Sequence, residues 1–109
     1  MRPFAADIVA ADEQGGIVVI ENQLEKTDHN HLGKLLTYLV NIGAKKAVWI
    51  TPDPRPEHIK VMEWLNEVTP PDMAFHLIEV EAYRIGDSQP APFFSVVVRP
   101  SEEGKEVLV

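Results

Sequence analysis

The chain has 109 residues, 45% of them apolar and 25% charged, which sets the scale at one small globular domain over 1–109 with a limited core. There is no cysteine, which excludes a disulfide framework and a zinc–thiolate centre, and no apolar run of the roughly 18 residues that a membrane helix needs. With 17 acidic against 10 basic residues the net charge is −7, which counts against a broad electrostatic grip on nucleic acid but not against a local cationic site or a bound metal.

The N-terminus, MRPFAADIVAADEQ, lacks the apolar segment of a signal peptide, so a cytoplasmic location without a membrane partner is expected. Residues 4–11 read as a strand and IVVIENQ as a second, with the Gly15-Gly16 pair marking a hairpin between them. If Asp12 and Gly16 close that hairpin, the loop is Glu13-Gln14-Gly15, with Gly15 available for a left-handed position. A helix follows. Thr27 or Asp28 can cap it, Leu32, Leu35, Leu36, Leu39 and Val40 form its apolar stripe, and Gly43 stops it. KAVWIT, 46–51, reads as a strand. Pro56 suits the first turn of a second helix running to about Val68, with Ile59, Met62 and Leu65 on one face. Residues 74–85 and 93–100 read as two further strands. The order β-β-α-β-α-β-β predicts an α/β domain, a mixed β-sheet with helices packed on it. Trp49 and Trp64 are expected to pack helix against sheet. Phe93 and Phe94 are expected to face opposite ways, one of them into the core.

The second strand runs from Val18-Val19-Ile20 into Glu21-Asn22-Gln23 without a turn residue. Glu21 and Gln23 share a face and Asn22 has the other. A hairpin closed by Asp12 and Gly16 sets Asp7 directly opposite Glu21, with Cβ atoms about 4.5–5.5 Å apart. Like charges so placed destabilise a sheet unless a cation lies between them or one carboxyl is protonated. Mg²⁺ or Mn²⁺ suits oxygen ligands of this kind, and Asp7, Glu21 and the backbone carbonyl of Asn22 make a minimal site.

An Asp, thirteen intervening residues, then Glu21-Asn22-Gln23 closing an apolar strand resembles the PD-(D/E)XK (restriction-endonuclease-like) nuclease superfamily, over roughly residues 4–51. Lys34-Leu35-Leu36-Thr37-Tyr38 on the next helix is similar to the Gln-x-x-x-Tyr of RecB-like members. The resemblance implies metal-dependent phosphodiester hydrolysis of DNA or RNA. In that reading Asp7 and Glu21 hold the metal, and Gln23 takes the position that orients water. The chain departs from the pattern at Gln23, where the family has Lys, and at Lys34, where it has Gln. Lys34 stands in for the missing ammonium. Only six residues precede Asp7, so the superfamily's first helix and strand are absent. Either the chain is a fragment of a longer one, or a second subunit (a homo-oligomer) or companion domain covers the exposed sheet.

His29 and His31 sit in the first helical turn, where backbone N–H groups favour anions. They read as surface histidines or, with Tyr38, as contacts to substrate. A solvated face is the plainer reading of Lys34, as is a strand-end amide of Gln23. The competing function is a catalytically inactive relative that serves as a dimerisation or protein-interaction module. The acidic charge and Gln23 favour that alternative.

Overall fold

In the computed structural model, which describes residues 8–101, the first hairpin turns on Asp12. Asp12 N–H donates to the Gly16 carbonyl at 2.8 Å, and the Asp12 carboxylate accepts the N–H groups of Gln14 and Gly16. Gly15 has a φ of 83°, the left-handed conformation that closes a three-residue loop. The flanking strands are β1 (Ile8–Ala11) and β2 (Ile17–Asn22), with Ile8 opposite Ile20 and Ala11 opposite Ile17. This is the register expected from closure at Asp12 and Gly16. Residues 4–7, Asp7 among them, lie outside the described residues.

Five elements follow: α1 (His29–Ile42), β3 (Lys46–Thr51), α2 (Pro56–Val68), β4 (Ala74–Tyr83) and β5 (Ala91–Val98). Asp28 caps α1 by accepting the His31 N–H, and Gly43, at φ 79°, ends it. Pro56 opens α2, where its missing N–H costs no hydrogen bond. The strands form one sheet in the order β1-β2-β3-β4-β5. The two outer pairings are antiparallel, and β2, β3 and β4 run parallel, each step crossing through a helix. The domain is therefore α/β with a five-stranded mixed sheet, in the expected element order.

Both helices lie on one face of the sheet. Val19, Ala47, Trp49, Phe75 and Leu77 are buried there against Leu35, Leu39, Met62 and Leu65. The alternate residues Val18, Ile20, Val48, Ile50 and Ile78 are half-buried. A buried amide ties α2 to the sheet: Asn66 Nδ2 donates to the Phe75 carbonyl, and the Phe75 N–H donates to Asn66 Oδ1, each at 2.9 Å.

Two aromatic expectations are corrected. Trp49 is core, but Trp64 is 55% exposed. It stands two residues beyond Met62, about 200° round the helix, on the side away from the sheet. Phe93 and Phe94 do face opposite ways, yet neither is core, at 54% and 57% exposed. The β4–β5 ribbon overhangs the layer of helices, as the exposure of Glu81, Ala82 and Tyr83 shows. Phe93 there meets Tyr83 edge to face, with ring centres 5.5 Å apart.

The loops leaving β2 and β3 run side by side. Gln23 N–H donates to the Ile50 carbonyl, Thr51 Oγ1–H to the Glu25 carbonyl, and Thr27 N–H to the Asp53 carbonyl. The first turns of α1 and α2 are thereby neighbours at the carboxyl ends of parallel strands, the usual place for a site in an open α/β sheet.

Candidate functional site

Strand alternation puts Val19, Glu21 and Gln23 on the helix-covered face, so β2 carries a carboxylate into the core layer. Glu21 is 1% exposed. A carboxylate so buried needs opposing charge or hydrogen bonds. Two side chains of α1 approach Glu21 Oε2, each at 3.8 Å: the imidazole Nε2 of His31 from the first turn and the Lys34 ammonium from the second. Asp28 orients His31 twice over. Its Oδ1 accepts the His31 backbone N–H and meets His31 Nδ1, both at 2.7 Å. Those bonds, the backbone one foremost, hold the Asp28 carboxyl below its ordinary value.

Gln23 is also buried, and its amide is engaged at both ends. Oε1 accepts the Trp49 indole N–H at 3.0 Å, and Nε2 donates to the Lys26 carbonyl at 2.8 Å. Asn22 is exposed, with its side chain on the opposite face by alternation. Among the sequence-predicted site residues the structure thus gathers Glu21, His31 and Lys34, and sets Gln23 against the core indole. Asp7 lies outside the described residues.

His29, Lys34 and Tyr38 line a shallow groove of about 320 Å³ along α1, together with Asn30, Gly33 and Thr37. Gly33 forms its bare floor. Among the described residues nothing lies within 4 Å of where a Cβ would stand. A glycine inside a helix costs about 1 kcal/mol relative to alanine, and packing does not demand this one.

Behind the groove lies a cluster that sequence reasoning missed. His58, the third residue of α2, is 1% exposed. Its Nε2 is 2.8 Å from His29 Nδ1, and its Nδ1 is 2.7 Å from Thr27 Oγ1, which also accepts the Arg55 N–H at 2.9 Å. The His29 and His58 rings meet edge to face at 4.9 Å, and the Trp49 ring centre stands 5.4 Å from that of His58. Burial first, then the repulsion the two rings would feel if both were protonated, hold His58 below the ordinary histidine value of 6.5. One signal was available: His29 and His58 both fall in the first turns of successive helices that connect parallel strands.

Among the described residues no group of three or more His, Asp or Glu side chains converges as a metal site. Glu21 supplies a hard oxygen donor of the kind Mg²⁺ and Mn²⁺ take, and a full set needs oxygen ligands from beyond that group. Comparison of the chain with protein-family models, curated proteins and solved structures gives no match.

Proposed function

We propose that this chain is a metal-dependent phosphodiesterase domain of the PD-(D/E)XK type, acting on DNA or RNA. The observation that carries the reading is the buried Glu21 carboxylate at the carboxyl end of β2, with the Lys34 ammonium 3.8 Å from its Oε2. The ladder of β1 on β2 supports it as well. Its last described pair is Ile8 with Ile20, and in sequence Asp7 directly precedes Ile8 as Glu21 directly follows Ile20. In this reading Asp7, Glu21 and the Asn22 backbone carbonyl hold Mg²⁺ or Mn²⁺. The ion would supply Lewis acidity toward a phosphoryl oxygen and a lowered pKa for bound water. Lys34 offsets charge developing on the phosphoryl group, the task of the motif lysine that Gln23 replaces. Asp28 fixes the ring of His31 beside the same carboxylate, and Tyr38 borders the approach along the groove. The half-buried apolar face opposite the helices fits a companion domain or second subunit lying over it.

The test is cleavage of single- and double-stranded DNA and RNA with Mn²⁺. Lys34→Ala is expected to lower the rate about 100-fold or more in protein shown by circular dichroism to be folded, since the change also strips a counter-charge from buried Glu21. Undiminished cleavage in that variant would remove Lys34 from the mechanism.

The inactive-module reading has one observation in its favour. The amide that stands in for the motif lysine is already committed to Trp49 and Lys26, which is a structural task. Absence of any Mn²⁺ binding by the wild type would select that reading.

A further inference from the structure

Thr27 has no exposed surface, so its hydroxyl hydrogen needs an acceptor inside the protein. The hydroxyl oxygen already receives the Arg55 N–H, and its other polar neighbour among the described residues is His58 Nδ1. The hydroxyl therefore donates to that nitrogen, and His58 is the tautomer protonated on Nε2. That N–H points at His29 Nδ1, 2.8 Å away. His29 must accept there and carry its own ring proton on Nε2. The donors from Arg55 through Thr27 and His58 to His29 all run one way, so each bond polarises the next. The contact between the rings has room for a single hydrogen. The charged groups around the pair are Glu57, Arg55 and Asp28, of both signs.

His29 lines the α1 groove, and the relay leaves the Nε2–H of its ring as the donor not used within the cluster. Lys34 lines the same groove and is the one fixed cation among its described lining residues. The Gly33 floor leaves the space between them bare.

We infer that the α1 groove is a phosphate subsite for nucleic acid, in which His29 Nε2–H and the Lys34 ammonium grip a non-bridging oxygen of a backbone phosphodiester. The inference rests on the phosphodiesterase reading and names how that site holds its substrate. His58 and Thr27 act through His29 as positioning residues.

The test reads proton positions and binding together. In ¹⁵N imidazole spectra of the wild-type chain, His29 and His58 should both be protonated on Nε2. A single-stranded oligothymidylate, added without divalent metal, should shift the His29 Nε2 signal. His29→Phe should weaken oligothymidylate binding about tenfold or more. Thr27→Val, which removes the hydroxyl but keeps the shape, should mix the His29 tautomers and weaken binding as well. A wild-type His29 protonated on Nδ1 overturns the relay even if neither variant folds. Full oligothymidylate affinity in folded His29→Phe, with Mn²⁺-dependent cleavage intact, overturns the subsite alone. Inorganic phosphate shifting His29 as strongly as oligothymidylate at equal concentration would reassign the groove to free phosphate. A wild type that neither binds oligothymidylate nor takes up Mn²⁺ overturns the nuclease reading and the subsite with it.

Discussion

His58 links the candidate site to stability. Burial is the main reason its pKa lies below the ordinary 6.5, so the folded chain disfavours its protonated form. Above that value both folded and unfolded chains hold it neutral and it imposes no penalty. Below 6.5 the unfolded chain takes up a proton that the folded chain resists, and stability falls until the pH passes the folded pKa. The expected slope for this one group is at most about 1.4 kcal/mol per pH unit. Urea unfolding of the wild type at a series of pH values should show stability declining from pH 6.5 downward, and His58→Gln should flatten that part of the curve. Asp12 and Asp28, both held below 3.8 by backbone N–H donors first, carry a further decline into the acid range. A flat wild-type profile between pH 6.5 and the carboxylate range would mean that His58 titrates as it does in the unfolded chain.

The elements meet through a few buried polar contacts as well as through apolar packing. Asn66 is the clearest of these, since its amide satisfies both the N–H and the carbonyl of Phe75 at the head of β4. Asn66→Ala strips both bonds and leaves two buried backbone groups unpaired, at a cost of about 2–4 kcal/mol. Thermal unfolding should register that loss, and Asn66→Asp should not restore it, because a carboxylate cannot donate to the Phe75 carbonyl. A loss below about 1 kcal/mol would show that water replaces the amide. Trp49 plays a similar part between β2 and β3, where its indole N–H fixes Gln23. Returning the motif residue by Gln23→Lys would therefore bury an ammonium against an indole donor, so restoring the motif would weaken the fold around it.

At the scale of the molecule, local pattern carried the fold a long way. The span 46–51, the stop at Gly43, the start at Pro56 and the hairpin register could all be read because each depends on residues close together in the chain. Phe93 and Phe94 could not, because what covers them depends on where whole helices end relative to the sheet, whereas the outward place of Trp64 follows from its spacing to Met62. The candidate site divides in the same way. Glu21, His31 and Lys34 come from a strand and the helix directly after it; the motif pointed to Glu21 and Lys34, and the first helical turn to His31. His58 reaches His29 from 29 positions away, and no local spacing encodes that contact. A net charge of −7 bears on the proposal, since nucleic-acid binding by this chain would have to come from a local metal and a few cationic side chains and not from a basic surface. The central claim is that Glu21, with Asp7, is a metal ligand. Calorimetric titration with Mn²⁺ tests it most directly, on the wild type, Glu21→Gln and Asp7→Asn, with folding of each checked by circular dichroism. The account predicts saturable binding in the wild type and its loss in both variants while the fold persists. Binding that survives in folded Glu21→Gln, or no binding by the wild type, would contradict it.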